Sequence, residues 1–106
     1  MATGRLGASD LAAATLTSVY TVPADTFTVA TLSICNRNAS AITIRIAVAA
    51  AATPTNAEYI EYDSTIAANG VLERTGIVLD TGKILVVRSS ITNVSAVAMG
   101  IETSTV

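Results

Sequence analysis

Apolar and β-branched residues run along this chain in short stretches of period two, and the stretches are broken by clusters of Pro, Gly, Asn, Asp and Ser. The clearest stretch is 41–49. There Ile42, Ile44, Ile46 and Val48 fall on one side, and Thr43, Arg45 and Ala47 on the other. Period-two alternation with a β-branched row is the pattern of a strand half-buried in an antiparallel sheet. Each isoleucine removed from water contributes roughly 1.5–3 kcal/mol, so this row is expected at the centre of the core.

The same reading predicts six further strands. One covers 16–22 and is stopped by Pro23, which has no N–H for a ladder. A second covers 27–36, with Ala30, Leu32 and Ile34 opposite Val29, Thr31 and Ser33. The polar turn 37–40 after it has the length of a hairpin connection. Residues 58–62 make a short edge strand, and 71–79 another strand in which Gly76 marks a bulge. The last two are 83–89 and 94–102, the latter with Val97, Met99 and Ile101 on one face and the small Ala96, Ala98 and Gly100 on the other. Turn signals stand between them at 24–25, Asn69-Gly70, Asp80-Thr81-Gly82 and 90–93, and Pro54 breaks the loop 50–56. The alanine runs 12–14 and 47–52 are too short for a stable helix. Seven strands at this spacing predict an all-β fold, an antiparallel β-sandwich, in one domain over 15–106. Residues 1–14 lack the alternation and carry Gly4 and Gly7. They are expected to form an extended N-terminal arm that docks on a neighbouring subunit, so that deleting 2–12 leaves the domain folded.

Composition sharpens this picture. A length of 106 residues allows one domain. Apolar residues make up 51% of the chain, but charged ones only 13%, about half of the usual ~25%. Sixteen threonines and nineteen alanines must therefore cover much of the surface. A weakly charged exterior of this kind suits a subunit whose faces are covered by other chains. The net charge of −2, with Arg5, Arg37, Arg45, Arg74, Lys83 and Arg88 dispersed, argues against nucleic-acid binding. The longest low-polarity stretch, 46–52, is far short of a membrane span, and the first ten residues have no apolar signal region. Neither nucleic acid nor membrane is an expected partner. Cys35, the only cysteine, cannot form an intrachain disulfide, and its apolar surroundings 32–35 suggest a core position.

The chain contains no histidine, which removes Ser-His-Asp and Cys-His catalysis and histidine metal ligation. Lys83 has no serine spaced to serve as its nucleophile. No catalytic residue, metal ligand or cofactor is expected. The glycines form no phosphate-cradling motif, and the sequons at Asn38 and Asn93 read as turn formers. The densest polar constellation is 58–63. As a regular strand it sends Glu58, Ile60 and Tyr62 one way and Tyr59, Glu61 and Asp63 the other. Such a segment can be an edge strand whose charges discourage improper pairing. It can also be a sugar platform or a Ca²⁺ site. Five arginines against one lysine favour contacts between subunits, with Arg45 and Glu73-Arg74 facing away from the isoleucine rows. The candidate interface residues are Arg5, Leu6, Leu11, Arg45, Tyr59, Glu61, Tyr62, Arg74 and Arg88.

Several motifs recur in a familiar order: Val19-Tyr20-Thr21-Val22-Pro23-Ala24, then Leu32-Ser33-Ile34-Cys35-Asn36-Arg37-Asn38, then the alternating isoleucine row. After these come Ile66-Ala67-Ala68-Asn69-Gly70, Leu79-Asp80-Thr81-Gly82-Lys83-Ile84-Leu85-Val86 and the closing Gly100-Ile101-Glu102. This order, from about residue 16 to 102, resembles the small β-sandwich virion structural proteins of tailed bacteriophages. The resemblance implies a non-enzymatic assembly role at the head surface, neck or tail. It also implies a likeness to homo-oligomeric subunits whose partners are copies of themselves and other virion structural proteins. The location it implies is the virion, assembled in the host bacterial cytoplasm. The alternative is a sugar- or receptor-binding module on a tail appendage, centred on Glu58, Tyr59, Glu61, Tyr62 and Asp63.

Overall fold

Period-two alternation decides which side of each strand is buried, and the core follows from it. A computed structural model describes all residues, Met1–Val106. It contains β1 (Thr3–Leu11), β2 (Thr17–Thr21), β3 (Thr26–Asn36), β4 (Ile42–Ala49), β5 (Tyr59–Ile66), β6 (Val71–Leu79), β7 (Ile84–Ser89) and β8 (Val94–Ser104). One turn of 3₁₀ helix, Asn56–Glu58, precedes β5. Ile42, Ile44 and Ile46 of β4 are buried, and so are Ala30, Leu32 and Ile34 of β3. With Leu85 and Val87 of β7 and Val94, Ala96 and Ala98 of β8 they belong to a core cluster of 18 residues.

The strands form two four-stranded sheets packed face to face, ordered β1-β8-β3-β6 and β2-β7-β4-β5. Every pairing of named strands is antiparallel. Only β4 and β5 are consecutive strands of one sheet; every other connection crosses from one sheet to the other. This order makes the sandwich a jelly roll of eight strands.

The eighth strand is β1, in the segment expected to be an arm. It is extended, but it pairs along β8 from Thr3↔Ile101 to Leu11↔Val94. The expectation of an arm separate from the core gives way here: Leu11 is 2% exposed and Leu6 packs against the core. The alternation is hidden in the sequence because a register shift between Arg5 and Gly7 resets it. The close approach of β1 to β2 also demands a glycine. A Cβ on Gly7 would stand 2.1 Å from the Val19 carbonyl oxygen.

The turn 37–40 is not a hairpin. It carries the chain from β3 in one sheet to β4 in the other, and the fully buried Asn36 builds the crossing. Its Nδ2 lies 2.9 Å from the Ser40 carbonyl oxygen, 3.0 Å from that of Ala67 and 3.3 Å from that of Ile66. Its Oδ1 accepts from the backbone N–H and the Nδ2 of Asn38, both at 3.0 Å. Asn38 in turn donates to the Thr92 carbonyl at 2.9 Å. Three connections at one end of the sandwich are thus held by two asparagines.

Cys35 is half-exposed rather than core. It has odd parity in a strand whose even residues face inward, so its apolar neighbours in sequence are not its neighbours in space. Gly76 does mark a bulge: the β3–β6 register shifts between Ala30 and Leu32, and Gly76 has φ +68°. In β4, Val48 is only half-buried, whereas Ala47 and Ala49 are covered on the outer face by Tyr59, Ile84 and Val86.

Candidate functional site

The two outer faces of the sandwich differ in chemistry. On the β2-β7-β4-β5 sheet, the constellation around β5 gathers about Arg45. Register shifts opposite Ile44, Ile46 and Ala47 break the alternation of 58–63, and Asp63 adopts φ +51°. The expected split of Tyr59 from Tyr62 therefore fails. The two rings meet edge to face with centroids 5.1 Å apart. The Arg45 guanidinium lies 4.1 Å from the centre of the Tyr62 ring, a cation–π geometry. Its Nε donates to Asp63 Oδ1 at 2.7 Å and its Nη2 to Oδ2 at 3.2 Å. This two-point bond holds the Asp63 carboxyl below its ordinary pKa and raises that of Arg45. Arg88 stands directly opposite Arg45 on β7, and its charge also favours ionised Asp63.

The acids of this segment do not converge. Glu58 caps the 3₁₀ turn, accepting from the backbone N–H of Thr55 at 2.8 Å and of Ala50 at 3.0 Å. These two bonds lower its pKa. Glu61 turns to the edge between the sheets, accepts from Ser64 Oγ at 2.6 Å and pairs with Arg74 of β6. The Ser64 bond is the first cause of its lowered pKa, and Arg74 adds to it. No group of three His, Cys, Asp or Glu comes together that could hold a metal ion.

Arg74 does not face outward beside Glu73, because neighbours in a strand point to opposite sides. It spans the open edge of the sandwich to Glu61 on the other sheet. Behind this ion pair is a cleft of about 310 Å³, lined by Val48, Ile60 and Ile77 and bordered by the Thr75-Gly76 bulge.

The outer face of the β1-β8-β3-β6 sheet is apolar. The pairings set residues of neighbouring strands in rows across it. One row is Val78–Val29–Ile101–Thr3, and the next carries Thr31–Met99–Arg5 beside the bulge. Glu73–Ser33–Val97–Ala8 and Val71–Cys35–Ser95–Asp10 follow. Val29, Val71, Val78 and Ile101 are 44–65% exposed, and Phe27 and Met99 are exposed beside them. The two central strands carry no charge on this side. At the rim Asp10 pairs with Arg37, whereas Arg5 and Glu73 have no ion-pair partner.

The nine candidate residues therefore scatter. Arg45, Tyr59, Tyr62 and Arg88 lie together on one outer face, Glu61 and Arg74 clasp the edge, and Arg5 lies on the rim of the apolar face. Leu6 and Leu11 face inward, Leu11 within the core and Leu6 packed against it, which corrects their place among the interface candidates. The apolar face itself was missed by sequence reasoning. Its signal was in β8, where both alternating sets are apolar and the small set fills the core, which leaves the large one outside.

Compared with known proteins, the chain matches no family model, no curated sequence and no solved structure.

Proposed function

We propose that this chain is a non-enzymatic structural subunit of a tailed-phage virion. It braces the head surface, neck or tail through protein–protein contacts in a symmetric array. The observation that carries this reading is the apolar face, free of charge on its two central strands and centred on Val29 and Ile101, both more than 40% exposed. A contiguous apolar patch on a sheet is a surface for another protein. The motif order described above adds to it. So does the jelly-roll strand order, which viral shell subunits use, as fold-level analogy only.

The test is incorporation. The tagged chain is expressed during phage growth, and particles are banded on a density gradient. The chain is expected in the particle band, and Val29→Asp is expected to fold yet stay with the soluble fraction. A wild-type chain absent from washed particles overturns the proposal.

A second reading is a sugar- or receptor-binding module, and Tyr62 favours it. The residue is 57% exposed, and its ring is backed by Tyr59 and Arg45. A glycan array and a Ca²⁺ titration test it. Retention on a glycan that is lost in Tyr59→Ala plus Tyr62→Ala supports this reading, and binding unchanged by that double substitution removes the site.

A further inference from the structure

We propose that the apolar face of the β1-β8-β3-β6 sheet binds a second copy of this chain, face to face, about a twofold axis parallel to the strands. The inference rests on reading that face as an assembly surface, and names its partner.

The argument is the placement of charge. The face has two charges without a partner in the chain, and they lie on opposite edges: Glu73 on β6 and Arg5 on β1. A twofold axis running between β3 and β8, parallel to them, lays β3 over the partner's β8 and β6 over the partner's β1. Each residue then keeps its row. Val29 meets the partner's Ile101, and Val78 meets the partner's Thr3. Glu73 is level with Ser33, and Arg5 with Thr31. They are thus two residues apart along the strand direction, about 7 Å, within the reach of an arginine side chain. Symmetry makes this ion pair twice. A twofold axis perpendicular to the strands does the opposite. It lays β6 on β6 and β1 on β1, which sets Glu73 near its own copy and Arg5 near its own copy. Like charges so placed oppose association.

Size also fits. Four strands about 4.8 Å apart, nine or so residues long at about 3.3 Å each, present a plan area of roughly 600 Å² before side-chain relief. That reaches the range of roughly 600–1,000 Å² per partner that specific complexes bury. The centre is Val, Ile, Met and Phe without charge, and the ion pairs fall at the rim, which is the usual anatomy of an interface. Isologous pairing also closes on itself, so it covers the face without propagating a fibre.

Sedimentation velocity of the purified full chain, with circular dichroism and melting for each variant, tests this. Wild type is expected at twice the chain mass of 10.8 kDa. Val29→Asp, on the exposed side of β3, is expected to be a folded monomer. Arg5→Glu and Glu73→Arg are each expected to weaken the dimer at least about tenfold, and together to restore it, because the swap rebuilds both pairs. A wild-type monomer at 100 µM overturns the proposal, as does a dimer indifferent to Val29→Asp. Failure of the double swap to rescue also overturns it, since that pairing is what the axis requires. These outcomes separate from the assembly reading. If wild type is monomeric but Val29→Asp still fails to enter particles, the face binds a different virion protein and the twofold dimer is wrong. If wild type is dimeric but absent from particles, the dimer stands and the virion role falls.

Discussion

Tyr20 on β2 donates its hydroxyl to Oε2 of Glu102 on β8 over 2.5 Å, and so joins one sheet to the other. The same hydroxyl lies 2.8 Å from Thr28 Oγ1 on β3, and Oε1 of Glu102 accepts the Ala2 backbone N–H at 2.9 Å. One carboxylate near the end of β8 thus holds the residue before β1 and Tyr20 near the end of β2. Tyr20→Phe removes the donor and leaves the buried Thr28 hydroxyl without its partner. It is expected to lower stability by about 1–2 kcal/mol, measured as a shift in the urea midpoint with unchanged slope.

This junction also sets the pH dependence. Hydrogen bonding to Tyr20, then to Ala2, holds the Glu102 carboxyl below its usual pKa. Glu61 and Asp63 are lowered as well, first by bonds to Ser64 and Arg45 respectively. A group with a lowered folded-state pKa binds fewer protons folded than unfolded. Its stabilisation is present above the unfolded value and is lost as pH falls through the folded one. Stability is therefore expected to fall below about pH 4.5, and Glu102→Gln is expected to make that decline shallower. Tyr20 moves the other way. Burial first, then the Glu102 bond, pushes it up to about 12 from 10.0. Its contribution is complete below pH 10 and is lost as pH rises towards 12. Tyr20→Phe is expected to flatten that alkaline limb. Urea midpoints measured at intervals across both limbs check the two signs.

Asn36 gives a third expectation. Its side chain is fully buried, and every buried side-chain polar atom in the chain has a hydrogen-bond partner. Asn36→Leu has similar volume but leaves the Ser40 carbonyl and the Asn38 backbone N–H unserved, and takes one of two donors from the Ala67 carbonyl, which keeps the Gly70 N–H. Loss of about 3 kcal/mol or more is expected, since buried polar groups left unpaired cost about 1–3 kcal/mol each. Asn36→Asp is expected to be as harmful, because a carboxylate keeps the bonds from Asn38 but faces three carbonyl oxygens. Amide hydrogen exchange at Asn69 and Arg37, whose N–H groups bond across these loops to Asn38 and Asn93, is expected to accelerate in both.

How far the chain could be read in advance follows from where period two holds. In β3 and β4 it holds over most of the strand: it separates Leu32 and its row from Thr31 and its row, and it puts Ile42, Ile44 and Ile46 in the core, where they lie. It fails where a bulge inserts a residue. The shifts along β5 put Tyr59 and Tyr62 on one face and sent Glu61 to the edge, and the shift at Arg5–Gly7 disguised β1 as an arm. Alternation also says nothing of which sheet a strand joins. The turn 37–40 looks like a hairpin because its length is right, and only the buried amide of Asn36 shows why the chain leaves the sheet there. The candidate site suffered most, since ion pairs such as Arg74–Glu61 and Arg45–Asp63 join residues 13 and 18 positions apart. No local pattern specifies such pairs.

The reassigned β1 changes what truncation should do. Deleting 2–12 removes Leu11 from the core, releases Glu102 from Ala2 and leaves β8 as an unpaired edge. The truncated chain is expected to melt well below wild type and to aggregate through β8, since an open edge templates pairing with other chains. Light scattering during a thermal ramp measures both. A truncated chain with an unchanged melt would mean that β1 contributes nothing to its own domain.

A single methyl group tests the same strand more finely. At Gly7 β1 passes so close to β2 that an added Cβ would lie 2.1 Å from the Val19 carbonyl oxygen and 3.2 Å from its carbon. Both are backbone atoms, so no side chain can swing aside. The residue has no positive φ that would itself disfavour alanine, which makes the effect one of space alone. Gly7→Ala is expected to cost about 2–3 kcal/mol, at the upper end for overpacking. It is also expected to speed amide exchange along β1 before the β3–β4 core opens, because the strand can relieve the clash only by moving away from β2. Gly82→Ala is the control. It has φ +80° and open space around it, so it is expected to lose about 1–2 kcal/mol from backbone conformation without loosening β1. If the two variants raise exchange in β1 equally, the close approach at Val19 is not what holds the strand in place.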